Sequence, residues 1–238
     1  MKETIFVLIH GAWHSANCWN KVIPKLKEQG HNAFSIDFSA KASDAKYDFD
    51  DYVTENYQIL NKLNKPMILV GHSMGAAIAN KLYTQIRKKV KALIYIAGSL
   101  PKNGESIDDV FSKSTKKTLL QQNFIISKDA AYITINPDAV KEIFYNDCNI
   151  KDTIMYKSQL VKQSLKALQE PIFYDEKKLQ QIPKFYIECL RDNAIDISAQ
   201  RLMYKKFQNI SAIPMDTGHS PFYSKPKELA QHLLATLN

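Results

Sequence analysis

The sequence predicts an α/β fold, a mostly parallel, doubly wound sheet with a helical cap insertion, and three observations predict it. Short unbroken apolar runs rich in branched side chains recur along the chain, the pattern of strands buried on both faces. Segments with helical spacing lie between them, so strand and helix alternate and the strands run parallel. The alternation lapses once, between about residues 100 and 183, and then resumes.

The first run, TIFVLI at 4–9, is an expected strand. Helical spacing over 19–29 follows it and stops at Gly30. The second apolar run is 33–36, with helical spacing at 52–63; the third is 67–70, followed by a helix over 75–87. A strand at 92–97 precedes the lapse. Through the lapse, aromatic residues and Met155 are scattered among Lys and Asp, which reads as short helices inserted between two strands. An insert there covers the carboxyl edge of the sheet, where open α/β sheets bind ligands. Strands at 185–189 and, more weakly, 210–215 resume the pattern, with helices at 198–207 and 226–237.

A chain of 238 residues fits one domain spanning 1–238, with the cap inside it. Apolar residues at 45% and charged residues at 24% suit a folded globular chain and exclude the composition of a disordered one. The charge of +8 raises the question of nucleic acid. The excess is mostly lysine spread along the chain, and Arg87, Arg191 and Arg201 alone offer guanidinium forks, so solvated surface rather than a nucleic-acid partner is expected. No run approaches the roughly 18 apolar residues that span a bilayer, and 5–9 is too short for a secretory leader. Cys18, Cys148 and Cys189 are odd in number, with no C-x-x-C pair. A cytoplasmic protein with reduced thiols and no membrane partner is expected, as monomer or homodimer.

The chemistry concentrates at Gly71-His72-Ser73-Met74-Gly75, between an expected strand and an expected helix. That position forces a sharp turn, which presents Ser73 Oγ above the sheet with a helix N-terminus beneath it, where developing negative charge is favoured. A serine hydroxyl needs a base, and the base an orienting acid. At such turns the acid and then the histidine follow along the chain. His219 and His232 follow Ser73. His219 stands in a loop after the last strand and is the expected base, whereas His232 falls inside the final helix. Asp192, three residues beyond the strand at 185–189, is the preferred acid, with Asp196 as its rival; Asp216 is disfavoured by its closeness to His219. The expected oxyanion donors are the backbone N–H groups of Met74 and of Ala12, in the loop His10-Gly11-Ala12-Trp13-His14. His10 and His14 lack a carboxylate or thiolate cluster and are expected to anchor that loop rather than bind metal. His72 is expected to be a packed neighbour of the nucleophile. G-x-G-x-x-G does not follow the first strand, and no G-x-x-x-x-G-K-[ST] occurs, so no nicotinamide or ATP site is supported.

Five segments, FVLIHGAWHSANCW, GHNAFSIDF, ILVGHSMGAAIA, YIECLRDNAI and MDTGHSPFYSKPKELAQHL, together resemble the methylesterase and hydroxynitrile lyase family of the α/β-hydrolase superfamily, which includes plant methylesterases and small bacterial esterases. The resemblance runs over nearly the whole chain, strong in the sheet segments and weak in the cap. It implies the α/β-hydrolase fold, no metal or organic cofactor, the triad Ser73, Asp192 and His219, and the donors Ala12 and Met74. The family's lyases carry a lysine after the catalytic histidine and a threonine in the first-strand loop. Here Ser220 and Gly11 stand in those places, so hydrolysis is favoured over lyase chemistry.

The expected function is a carboxylesterase acting through an acyl-enzyme on a small, fairly apolar ester of the methyl or aryl type. Trp13, Cys18, Phe111, Phe124, Phe144 and Met155 are expected to line the pocket. The alternative from another class is a small-molecule receptor that keeps the triad; cleavage of polypeptides is a weaker option.

Overall fold

A computed structural model describes residues 4–39, 47–112 and 117–237. Residues 1–3, 40–46 and 238 of the predicted domain, and 113–116 of the predicted insertion, lie outside the described residues.

Six strands form the central sheet: β1 (Ile5–Ile9), β2 (Asn32–Ile36), β3 (Met67–His72), β4 (Val90–Ile96), β8 (Lys184–Cys189) and β9 (Ile210–Met215). Their order is β2-β1-β3-β4-β8-β9, and every pairing is parallel. β1 and β3 are buried along their whole length, as their unbroken apolar sequences require. β9 is a half-exposed edge strand, which explains its weaker apolar signal and its tolerance of Pro214, whose missing N–H an edge can accommodate.

The chain leaves β1 for β2 on one side and returns to β3 on the other, a reversal that opens a crevice between the carboxyl ends of β1 and β3. Register makes those ends level. Ile9 pairs with Gly71, and His72 with Ile96. Residues 10–12, 73 and 97–99 therefore gather at one edge, and Cys189 paired with Met215 brings the loops after β8 and β9 to it.

Helices α1 (Ile23–Glu28), α2 (Phe49–Asn61), α3 (Met74–Ile86), α10 (Ile197–Tyr204) and α12 (Pro226–Ala235) belong to the alternating layers. The helix expected over 19–29 is divided. A 3-10 turn covers Ala16–Trp19, and α1 starts afresh with Pro24 in its first turn, where proline's missing donor costs nothing. α2 begins earlier than its apolar spacing suggests, because Asp48 and Asp51 form a reciprocal capping box. α3 is buried on most sides and packs against α2, β3 and β4.

Between β4 and β8 the insertion holds α4 (Ile107–Ser112), α5 (Leu119–Gln122), α6 (Val140–Phe144), α7 (Ile150–Ser158), α8 (Leu165–Gln169) and α9 (Glu176–Gln180). It is not purely helical. β5 (Phe124–Ile126), β6 (Tyr132–Ile135) and β7 (Gln163–Ser164) make a small antiparallel sheet. In β6 Ile133 and Ile135 are buried while Tyr132 and Thr134 are partly exposed, an alternation too short to separate from its surroundings in sequence. A further short helix, α11 (Pro221–Ser224), precedes α12.

Candidate active site

Ser73 stands between β3 and α3 with φ 51° and ψ −124°, a left-handed conformation costly for a residue with a Cβ. The surrounding backbone holds it there: Ser73 N–H donates to Ile96 O at 3.1 Å, and Ser73 O accepts from Ser99 N–H at 3.0 Å. Close approach explains Gly75, where a Cβ would stand 2.5 Å from Ile9 O and 2.6 Å from His10 O. It also explains Gly11, where a Cβ would stand 2.8 Å from that of Ser73. The first turn of α3 thus lies directly against the end of β1, and the loop after β1 directly against the serine.

Asp192 and His219 meet as a buried pair, with Nδ1 2.7 Å from Oδ2. The carboxylate is held from several sides. Its Oδ1 accepts from the N–H groups of Ala194 and Ile195 at 2.8 and 2.9 Å, and its Oδ2 from Gln200 Nε2 at 3.2 Å. Asp196 has a different task, capping α10 through the N–H groups of Ser198 and Ala199 at 3.0 Å. Asp216 is exposed and pairs with Arg191 at 2.8 Å, and His232 lies beside Glu228 in α12.

His72 links serine and imidazole. Its Nε2 donates to His219 O at 2.9 Å, and the two rings stand 4.6 Å apart. Burial first, then the neighbouring His219 and His14, holds its pKa well below the usual histidine range. No direct hydrogen bond joins Ser73 Oγ to His219 in this structure. The loop after β1 is tied by its own histidines, His10 Nδ1 donating to Gly11 O at 2.9 Å and His14 Nδ1 to Ala12 O at 3.0 Å. Burial depresses the His14 pKa to about 3, so its Nε2 accepts from Tyr145 Oη at 3.1 Å. Among the described residues no cluster of three or more His, Cys, Asp or Glu side chains is arranged to hold a metal.

A cavity of about 180 Å³ opens at Ser73, and Ala12, Met74, Trp13, Phe111 and Phe124 line it. Among the described residues no protein acceptor takes up the N–H of Ala12 or of Met74. Trp13 also adopts a left-handed conformation, φ 60°, and two hydrogen bonds fix it to the cap: its Nε1 donates to Ile133 O at 3.0 Å, and its O accepts from Val161 N–H at 2.8 Å.

Three expected wall residues stand elsewhere. Cys18 is buried in the 3-10 turn outside the cavity lining, its thiol pKa raised by burial. Phe144 lies one layer behind, its ring 6.0 Å from Trp13, 5.5 Å from His14 and 5.6 Å from His219, so it packs the His219 ring from outside the cavity lining. Met155 is 46% exposed on the outer face of α7, beside Ile154. In helices this short, spacing does not reveal which face turns inward.

Four contributors escaped the sequence reading. Gln200 is fully buried, accepting from Cys189 N–H and donating to Asp192; its signal was a polar side chain on the stripe that buries Met203 and Tyr204. Asn146 and Asp147, just after α6, reach both loops. Asn146 Nδ2 donates to Arg191 O at 2.8 Å, while Asp147 Oδ2 accepts from Thr217 Oγ1 at 2.7 Å and Gly218 N–H at 2.9 Å. Ser99 lines the cavity, 1% exposed, and its hydroxyl has no hydrogen-bond partner among the described residues. Among the described residues no helix is long and apolar enough to cross a membrane.

The model of the alpha/beta hydrolase family matches residues 6–232. Among curated relatives, Methylesterase 2 of Arabidopsis thaliana is 27% identical over 255 residues, covering 97% of this chain and 94% of its own. Methylesterase 7 of the same plant is 27% identical over 250 residues, covering 96% and 94%. Among solved structures, a pyrethroid hydrolase from Sphingobium faniae superposes with a TM-score of 0.87 at 25% identity, covering 98% of this chain and 96% of its own.

Proposed function

This chain belongs to the alpha/beta hydrolase family, and from that premise we propose that it is an ester hydrolase, a serine carboxylesterase acting on small, fairly apolar esters of the methyl or aryl type. The observation that carries the reading is the buried Asp192–His219 pair, 2.7 Å apart, at the same sheet edge as a serine held at positive φ.

In the proposed mechanism Ser73 Oγ turns to His219 Nε2 as the ester binds, and attacks the carbonyl carbon while the imidazole takes its proton. Catalytic hydrogen bonds commonly close only on binding. Asp192 fixes the tautomer with hydrogen on Nδ1 and stabilises the imidazolium. The N–H groups of Ala12 and Met74 receive the oxyanion, aided by the N-terminus of α3. His219 returns its proton to the leaving alcohol, then activates water to hydrolyse the acyl-enzyme. The compact, largely carbon-lined cavity suits a small ester rather than a polypeptide. Ser220 and Gly11, in the places of the lyases' lysine and threonine, favour hydrolysis. Three unpaired cysteines favour a reducing compartment, and we propose the cytoplasm.

A fluorophosphonate probe tests the reading. Labelling of the wild type, lost in Ser73→Ala together with turnover of p-nitrophenyl acetate, is expected; a folded wild type that takes no label refutes it.

A further inference from the structure

One residue of the cavity lining carries a buried polar group that the proposed mechanism does not use. Of its buried lining side chains, Ser73, Ser99 and Trp13 carry N or O atoms, and the rest, among them Met74, Ile107, Leu120, Ile133 and Leu168, are apolar. Trp13 Nε1 is taken up by Ile133 O and Ser73 is the nucleophile of the reading above. Among the described residues Ser99 Oγ has no partner. A buried hydroxyl without a hydrogen bond is unfavourable, because the partner it had in water is not replaced. Ser99 is also held close to the nucleophile, since its backbone N–H donates to Ser73 O at 3.0 Å.

We propose that the Ser99 hydroxyl is a substrate-recognition group, and that the esters this pocket takes carry a hydroxyl, keto or ether oxygen one or two carbons from the scissile carbonyl. The proposal rests on the serine-esterase reading. A serine hydroxyl both donates and accepts, so each of these oxygens suits it. The anchorage of Ser99 on Ser73 O keeps the contact near the carbonyl rather than at the cavity mouth, where the polar residues Asp108 and Gln169 are exposed. A site built around a hydrogen bond rejects the analogue that lacks it, because its own polar group is then left unpaired.

The experiment uses methyl esters in matched pairs, with a hydroxyl in place of a methyl on the first or second carbon beyond the carbonyl. We expect the wild type to favour the hydroxylated member at one of these positions by about 10-fold or more in kcat/KM. Ser99→Ala brings that ratio to about one, and Ser99→Thr, which returns the hydroxyl, recovers a preference. Thermal melts establish that each variant is folded. A ratio equal in wild type and Ser99→Ala, or a wild type preferring the methyl member at both positions, overturns the proposal while fluorophosphonate still labels Ser73. Absence of both label and hydrolysis removes the esterase reading and this proposal with it.

Discussion

Asp147→Ala breaks the two hydrogen bonds by which the cap holds the His219 loop, those from Thr217 Oγ1 and Gly218 N–H. Hydrogen bonds to a charged acceptor contribute about 1.5–3 kcal/mol each. Asp147 is only half-buried, so the lower figure applies and the pair sums to about 3 kcal/mol. Its Oδ1 is buried without a partner among the described residues, which offsets about 1 kcal/mol and leaves about 2 kcal/mol. That margin corresponds to roughly 30-fold in the equilibrium between held and released loop. Hydrogen exchange at the Gly218 amide reads the release directly, and about 30-fold faster exchange is expected. Because His219 is the next residue, kcat falls by up to the same factor. Asp147→Asn keeps an oxygen acceptor without its charge and falls in between. If Gly218 exchange and kcat in Asp147→Ala both stay within about twofold of wild type, the clamp carries no energy and the reasoning fails.

Asp192→Asn preserves the acceptor for Ala194 and Ile195 but no longer fixes the His219 tautomer; a loss of about four orders of magnitude in kcat with little change in KM is expected from steady-state kinetics, and a loss below tenfold counts against Asp192 as the acid. Stability should fall in acid, because burial makes the charged forms of His14 and His72 unfavourable in the folded protein. Each ring gains a proton on unfolding once the pH is below about 6.5, so stability is complete above that value and declines as pH falls toward 3, by up to about 1.4 kcal/mol per pH unit and per ring. Urea midpoints between about pH 5 and 7 check the sign, and a level profile contradicts it.

The central sheet and the turn at Ser73 were legible because both write themselves into contiguous sequence. Strands buried on two faces need unbroken apolar runs, and the turn at Ser73 needs a small residue at Gly75, where the backbone of β1 is 2.5 Å from any Cβ. The choice of Asp192 over Asp196 rested on how far each follows β8, and the structure separates them: one meets His219, the other caps α10. The cap was less legible. Its helices and strands are too short for their period to show, so sequence alone places Met155 on the wall and reads β5, β6 and β7 as helix. Gln200, Asn146 and Asp147 were invisible for another reason. Each acts on residues distant in sequence or through main-chain groups that no local pattern marks.

The two attachments of Trp13 to the cap have an evolutionary corollary. On the cap side they use only main-chain atoms, Ile133 O and Val161 N, which any amino acid but proline at 161 supplies equally well. Wall side chains are therefore free to drift and retune selectivity while the loop bearing Ala12 keeps its shape. Divergence in the lid and constancy in the chemistry need not compete, and a proline arising at 161 is the mutation that would set them at odds.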